Sequence, residues 1–260
     1  MQIQLIYFLF GSIFGSFLNA LIYRLPRNIS MSKSRSFCPS CNNQIPWFCN
    51  IPVFSYIFLL GKCFKCKVKI PIKYLLIELF VGVMSLYLGN KYNPLFSQMG
   101  LINFLFYFSI VCAFTAHFFI DLEHKILPDS INLYLALLFL IYSFFFKDWK
   151  LMLFGAAIGF GFTYSVTWIF YKLRGKIGLG GGDIKLYTVL GLYLGPLLII
   201  ENIFLSCFLG ALIGVSLIYS KVIDRNTPIP FGPFIIVVGF AQIIFPKYYQ
   251  IVSNLFKYQV

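Results

Sequence analysis

Charge is what this chain has least of. Only 11% of its 260 residues are Asp, Glu, Lys or Arg, and the acidic ones number eight. A soluble domain of this length carries roughly a quarter charged residues, so the deficit excludes an ordinary water-facing surface. Histidine is scarcer still. The two present, His117 and His124, form no HExxH string, which removes the helical zinc-protease arrangement. No GxSxG string occurs, so the serine-hydrolase elbow is excluded as well. No internal repeat is evident. The first apolar stretch lacks a basic flank before it and a small-residue cleavage site after it, so residues 1–23 are expected to stay as a membrane span rather than leave as a signal peptide.

Apolar residues fill the gap: 60% of the chain is hydrophobic and 20% aromatic. Runs near membrane-crossing length recur throughout, which predicts an all-α polytopic membrane protein. About eight transmembrane helices are expected, over 4–23, 74–90, 100–120, 130–146, 151–171, 186–200, 203–220 and 234–246. The first carries Gly11, Gly15 and Ser16 on one side, spaced for close approach of a neighbouring helix. The sixth, with Gly191, Gly195 and Pro196, and the eighth, ending at Pro246, are short.

The net charge is +13, with 21 Lys and Arg. Sixteen of these fall in alternate loops, 24–73, 121–129, 172–185 and 221–233; the other five are Lys91, Lys147, Lys150, Lys247 and Lys257. By the positive-inside rule the first set is cytoplasmic and both termini lie outside. The basic loops then rest on anionic lipid headgroups, and no nucleic-acid partner is required.

The segment 24–73 is the one sizeable polar insertion. Cys38-Pro39-Ser40-Cys41 and Cys63-Phe64-Lys65-Cys66 form two CxxC knuckles with 21 residues between them. Four thiolates in a tetrahedron suit structural zinc, and about 50 residues hold too little core to fold unaided. A pair of disulfides is the competing account, and a reducing cytoplasm weighs against it. Cys49 has no partner at ligand spacing. Cys112 and Cys207 lie in apolar spans and read as small hydrophobes.

Two short loops, 121–129 and 180–183, hold half of the acidic residues: Asp121, Glu123, Asp129 and Asp183. Ionisable groups at a membrane are costly and usually functional. Asp129, after Pro128 and before an apolar run, reads as the N-cap of the fourth span. Asp121 has no such excuse, because at a helix C-terminus its charge opposes the macrodipole. Asp183 follows Gly180, Gly181 and Gly182, which allow close backbone approach, and helix parity puts it on the same side as Asp121. Two carboxylates brought together cannot both ionise easily, so one holds a proton while the other acts as base. Such a dyad activates water against a peptide carbonyl. His117, in a span's last turn, and His124, in the loop, are placed to line the site, but the commoner reading is of polar residues at the headgroup level.

In this order the motifs resemble one family, the bacterial type IV prepilin leader peptidases, which are membrane aspartic proteases. The likeness runs through Gly15-Ser16-Phe17-Leu18-Asn19 with Tyr23-Arg24-Leu25-Pro26, then the two CxxC knuckles with Asn50-Ile51-Pro52 between them and Gly61-Lys62 before the second. It continues with Glu78, the stretch from Asp121 to Asp129, the GxGD-type string ending at Asp183 with Lys185 after it, and Pro230-Phe231-Gly232-Pro233. The resemblance implies that Asp121 and Asp183 are the catalytic pair, supported by Gly180, Gly181, Gly182, Lys185, Glu123 and Asp129. It implies a first helix at 1–23, a cytoplasmic metal-binding loop at 24–73 and a seven-helix protease domain at 74–260. The activity it implies is removal of a short basic leader from type IV prepilin or pseudopilin precursors, on the cytoplasmic side of the bacterial inner membrane. It further implies S-adenosylmethionine-dependent N-methylation of the new terminus, with Gly61 and Lys62 at positions tied to that step. Cys49 departs from the polar or acidic residue of many relatives. A cation-coupled transporter with a zinc-bearing gate is the competing reading; against it, the acids gather at one face rather than at the midplane.

Overall fold

The computed structural model describes residues 2–31, 36–176, 178–224, 227–247 and 249–250. Their regular structure is helical: α1 (Gln2–Arg24), α2 (Phe54–Phe58), α3 (Lys73–Tyr92), α4 (Gln98–His124), α5 (Asp129–Phe146), α6 (Trp149–Arg174), α7 (Gly181–Tyr219) and α8 (Gly232–Ile244). Pairing of extended chain among the described residues amounts to two isolated antiparallel bridges, Phe37 with Gln44 and Lys62 with Lys69. Lys257, assigned to the outer face by charge, lies outside the described residues.

Five helices (α1, α4, α5, α6 and α7) are long and apolar enough to cross a bilayer, and the chain is a multi-pass membrane protein. The expected second span corresponds to α3, which carries Lys73, Glu78 and Lys91. The eighth corresponds to α8, whose 13 residues rise only about 20 Å, against a hydrocarbon core of about 30 Å. The sixth and seventh both fall within the 39 residues of α7.

The break between those two was expected near 201–202, at the polar pair Glu201-Asn202. It lies instead at Gly195, with φ 75° and ψ −177°, followed by Pro196. Glycine reaches that conformation without a Cβ clash, and proline removes a helical donor. Helix continues through Glu201 and Asn202 because both side chains are paired inside the protein. The Asn202 amide donates to Gln242 Oε1 at 2.8 Å, and the Tyr249 hydroxyl donates to Glu201 Oε2 at 2.7 Å. The carbonyl of Tyr193, just before the break, accepts from Lys147 Nζ at 2.7 Å.

Contacts divide the chain into two compact units, 1–116 and 117–260, with the division inside α4. In the first, α1 packs on α3 through the expected small residues. A Cβ on Gly11 would meet the Val81 carbonyl at 2.5 Å, and one on Gly15 would meet Glu78 Cα at 2.7 Å. Ser85 Oγ closes the seam by donating to the Tyr7 carbonyl at 2.7 Å. Rings of Phe10 and Phe14 pack on Phe108 of α4 at 5.2 and 5.3 Å. In the second unit α7 is the central element, packed by α5, α6 and α8. Its approach to α6 is close because Gly159 has no side chain: a Cβ there would lie 2.5 Å from the Tyr187 carbonyl. Small residues are how membrane helices reach such separations.

Candidate functional site

In the first unit, the two knuckles are built alike. The Cys38 N–H donates to the Asn43 carbonyl at 2.9 Å and Asn42 N–H to the Cys38 carbonyl at 2.8 Å. In the second, Cys63 N–H donates to Val68 at 2.9 Å and Lys67 N–H to Cys63 at 3.1 Å. Asn42 and Lys67 occupy the same left-handed position, with φ 53° and 57°, and each knuckle is pinched by one of the two bridges. The sequence gives little hint of this local duplication, because only the cysteines and turn geometry repeat.

The four sulfurs of Cys38, Cys41, Cys63 and Cys66 lie within 4.8 Å of one another. All are free thiols, and the Cys38 and Cys66 sulfurs are 3.8 Å apart. A disulfide needs about 2.05 Å. A tetrahedron of sulfurs each about 2.3 Å from a zinc ion has edges of about 3.8 Å, so the donor set and its spacing fit a metal. Backbone N–H groups of Cys66 and Lys65 pull the Cys63 thiol down to about 6, which readies one ligand as a thiolate.

Beside the knuckles lies a cavity of about 390 Å³, lined among others by Asn19, Tyr23, Cys38, Cys49, Tyr56 and Glu78. Pockets for small molecules run from about 300 to 1,000 Å³. Glu78, buried at the cavity wall, accepts from the Val53 backbone N–H at 2.7 Å and from the Asn19 amide at 3.5 Å. Val53 has φ 66°, a costly state for a β-branched residue and one that tends to collect at functional sites. The Glu78 carboxylate thus anchors the turn that follows Asn50-Ile51-Pro52. Gly61 reaches the cavity only through Tyr56. Its φ is +65°, and a Cβ would lie 2.9 Å from the Tyr56 hydroxyl, which itself donates to the Ile70 carbonyl at 3.1 Å. Lys62 is exposed and is not among the lining residues.

The acidic residues lie in the second unit. The helix α4 runs one turn beyond the expected end, to His124, and closes with Lys125 N–H donating to the Asp121 carbonyl at 2.8 Å. Asp121 therefore sits in the final turn, 4% exposed. Asp183 is half-buried in the first turn of α7, whose N-cap is Gly180. The two carboxylates are close enough to repel each other. Leu127, buried between them in the chain, explains how. A Cβ on Gly182 would meet Leu127 Cβ at 3.1 Å, while one on Gly232 would meet Leu127 Cδ2 at 3.1 Å and Asp121 Oδ2 at 2.7 Å. The glycines of α7 and α8 let both helix starts close on Leu127 and the carboxyl. Gly180 and Gly181 are exposed on the approach to Asp183.

Two expectations are corrected. Asp129 is not an N-cap: that position is Pro128, with no side-chain cap bond, and Asp129 is the first residue of α5. Its carboxylate accepts instead from Lys185 Nζ at 2.8 and 2.9 Å, joining the starts of α5 and α7. The pair is largely exposed, so it orients more than it stabilises. His117 lies inside the protein. It is 0% exposed within the protein, because it faces inward one turn before Asp121. His124 lies in the last turn of α4 rather than in a loop, and Glu123 is exposed beside it. Leu127 and Gly232 were not singled out by sequence reasoning; the Pro-Phe-Gly-Pro string was the available signal for the second.

Replacing Gly232 by Ala should displace the Asp121 carboxyl by several tenths of an ångström. An ångström of misplacement costs about 100-fold, so turnover at this site is expected to fall about 10-fold or more. Thermal melting in detergent should stay near that of the wild type, and an unchanged turnover would count against this geometry.

Comparison with known proteins bears on both units. The model of the bacterial peptidase A24 N-terminal domain matches residues 9–92, and that of the type IV leader peptidase family matches 105–215. A prepilin leader peptidase/N-methyltransferase of Stutzerimonas stutzeri is 34% identical over 90% of this chain and 88% of its own length. The protein of that name from Pseudomonas aeruginosa is 33% identical over 91% and 88%, and that from Xanthomonas campestris pv. campestris 32% over 89% and 87%. No solved structure gave a significant match. Two family models in chain order and relatives covered over most of their length place the chain: it belongs to the type IV leader peptidase family.

Proposed function

We propose that the chain is a membrane aspartic endopeptidase that removes the basic leader from type IV prepilin-like precursors, with Asp121 and Asp183 as its catalytic pair. The observation that carries the reading is the meeting of these two carboxylates, one buried, at adjoining helix ends. In this mechanism the pair shares one proton. The ionised carboxyl takes a proton from water as the water oxygen bonds to the scissile carbonyl carbon, and the protonated carboxyl donates to the carbonyl oxygen. On collapse of the tetrahedral adduct the C–N bond breaks, the leaving amine takes the proton held by the first carboxyl, and a hydroxyl of the adduct returns its proton to the second, which restores the pair. Gly180, Gly181 and Gly182 leave room for an extended substrate strand, Lys185 and Asp129 hold the two helix starts in register, and exposed Glu123 faces the basic leader.

The same chain methylates the new terminus, and the cavity beside the knuckles is where we place S-adenosylmethionine. That donor supplies an electrophilic methyl group. Glu78 offers a buried anion to the cationic reactants, Gly61 supports the wall through Tyr56, and Lys62 acts from outside the pocket. Cys38, Cys41, Cys63 and Cys66 hold zinc, which binds the insertion 24–73 together; the protease domain follows from 74 in the chain. The basic loops and the site face the cytoplasm at the inner membrane of a bacterium, against anionic lipid, with prepilins or pseudopilins as partners.

The test is the intact mass of a prepilin precursor incubated with the purified chain and S-adenosylmethionine. Loss of the leader plus one methyl group is expected. A leader left in place on several precursors would overturn the reading.

A further inference from the structure

Of eight buried side-chain nitrogens and oxygens without a hydrogen-bond partner among the described residues, five lie in one neighbourhood: both ring nitrogens of His117, Oδ2 of Asp121, and the amide nitrogen and oxygen of Asn132. Interiors pair about 90% or more of such atoms, so five orphans together mark a place and not a scatter. His117 precedes Asp121 by one helical turn, on the same face of α4. Asn132, one turn into α5, has its amide near the His117 ring but in no hydrogen bond with it. All three side chains are at most 4% exposed. A histidine that merely fills a core has its ring nitrogens satisfied; this one does not. Hydrogen bonds of catalytic groups are often loose in the free enzyme and tighten in the working complex.

We propose that His117 is a positioning residue for Asp121: with the Asn132 amide beside it to steady the ring, its imidazole closes onto the inner oxygen of the Asp121 carboxyl when substrate seats. The outer oxygen is then the one presented to water and the scissile carbonyl. The inference rests on reading Asp121 as catalytic. It assigns no contact with substrate to His117, which is fully enclosed.

The ionisable groups facing Asp121 are Asp183 from α7 and His117 from α4 itself. Glu123, His124, Asp129 and Lys185 stand at the exposed ends of the same helices, and α8 brings no ionisable side chain. A change at His117 is therefore read in the pH profile of cleavage through few other groups. Leader cleavage is measured against pH for the wild type, His117→Leu, His117→Gln and Asn132→Leu, with thermal melting in detergent as the check that each variant is folded.

His117→Leu is expected to lower kcat about 10-fold to 100-fold, leave KM within about twofold and displace the pH profile. Gln, which can still donate to a carboxyl oxygen, should restore most of the rate, and Asn132→Leu should behave as a weaker His117→Leu. Wild-type kcat and profile in His117→Leu would overturn the proposal. So would a loss that Gln does not repair or that leaves the profile unmoved, since that pattern belongs to packing alone. Asp121→Asn run alongside separates the two readings: if it cleaves normally, the catalytic assignment itself fails, whatever His117 does.

Discussion

Asparagine at position 121 or at 183 is expected to reduce leader cleavage by about 1,000-fold or more, in the upper part of the range for loss of general acid–base catalysis. Each amide keeps the size of the carboxyl and its capacity to accept a hydrogen bond, so the α4 and α7 ends that meet at Leu127 should stay as they are. What is lost is the shared proton. Because the proposed mechanism uses the two carboxyls as one unit, the double variant should be little worse than either single one. The same logic sets the pH dependence. Cleavage falls on the acid side, where both groups are protonated and no base remains, and on the alkaline side, where both are ionised and no acid remains. Rates on a purified precursor, followed by mass from pH 4 to 10 (about six units, enough to span both limbs of such a bell), check both statements. A variant that keeps a tenth or more of the wild-type rate would remove the aspartic mechanism.

Much of this arrangement was legible in the chain, for reasons that differ from element to element. The membrane helices announce themselves because lipid demands long apolar runs, and the small-residue stripe at Gly11 and Gly15 announces a close neighbour. The break in α7 was misplaced because Glu201 and Asn202 look like an interface with water. Only their partners, Tyr249 and Gln242, show that the polar pair is bonded within the protein. The carboxylates were visible as scarce charges beside glycines, since few structural needs put acid there. Leu127 was invisible: one leucine among many, and its role comes only from two glycines, 50 and more positions away, closing on it. The enclosure of His117 was invisible for a related reason. Its sequence neighbours place it near a helix end, whereas its burial depends on what α5 brings against it.

Replacing Cys63 or Cys38 by Ser should separate the two activities, abolishing methyl transfer while leader cleavage stays within a few-fold of wild type. The separation follows from where the residues lie. The four sulfurs and the cavity belong wholly to the unit 1–116, and Asp121, Asp183, Leu127 and Gly232 wholly to 117–260. An insertion of about 50 residues lacks the core to hold its shape, and Cys38 and Cys63 both line the cavity, so a lost thiolate should loosen the wall of the proposed methyl-donor site. Metal analysis should show one zinc per wild-type chain and a fraction of that in the variants. Acid should act in the same sense, because a thiol must shed its proton to bind metal. Cys63 is drawn down to about 6 by its backbone donors while Cys66 beside it is pushed up to about 11, so protons compete with the metal for the set, and zinc retention and methyl transfer should weaken together as the pH is lowered. Equilibrium binding of S-adenosylhomocysteine, measured with and without chelator, reports on the cavity directly. Full methyl transfer by a metal-free Cys63→Ser chain would show that the knuckles and the cavity are not coupled, whereas loss of both activities at once would show that the metal supports the whole chain.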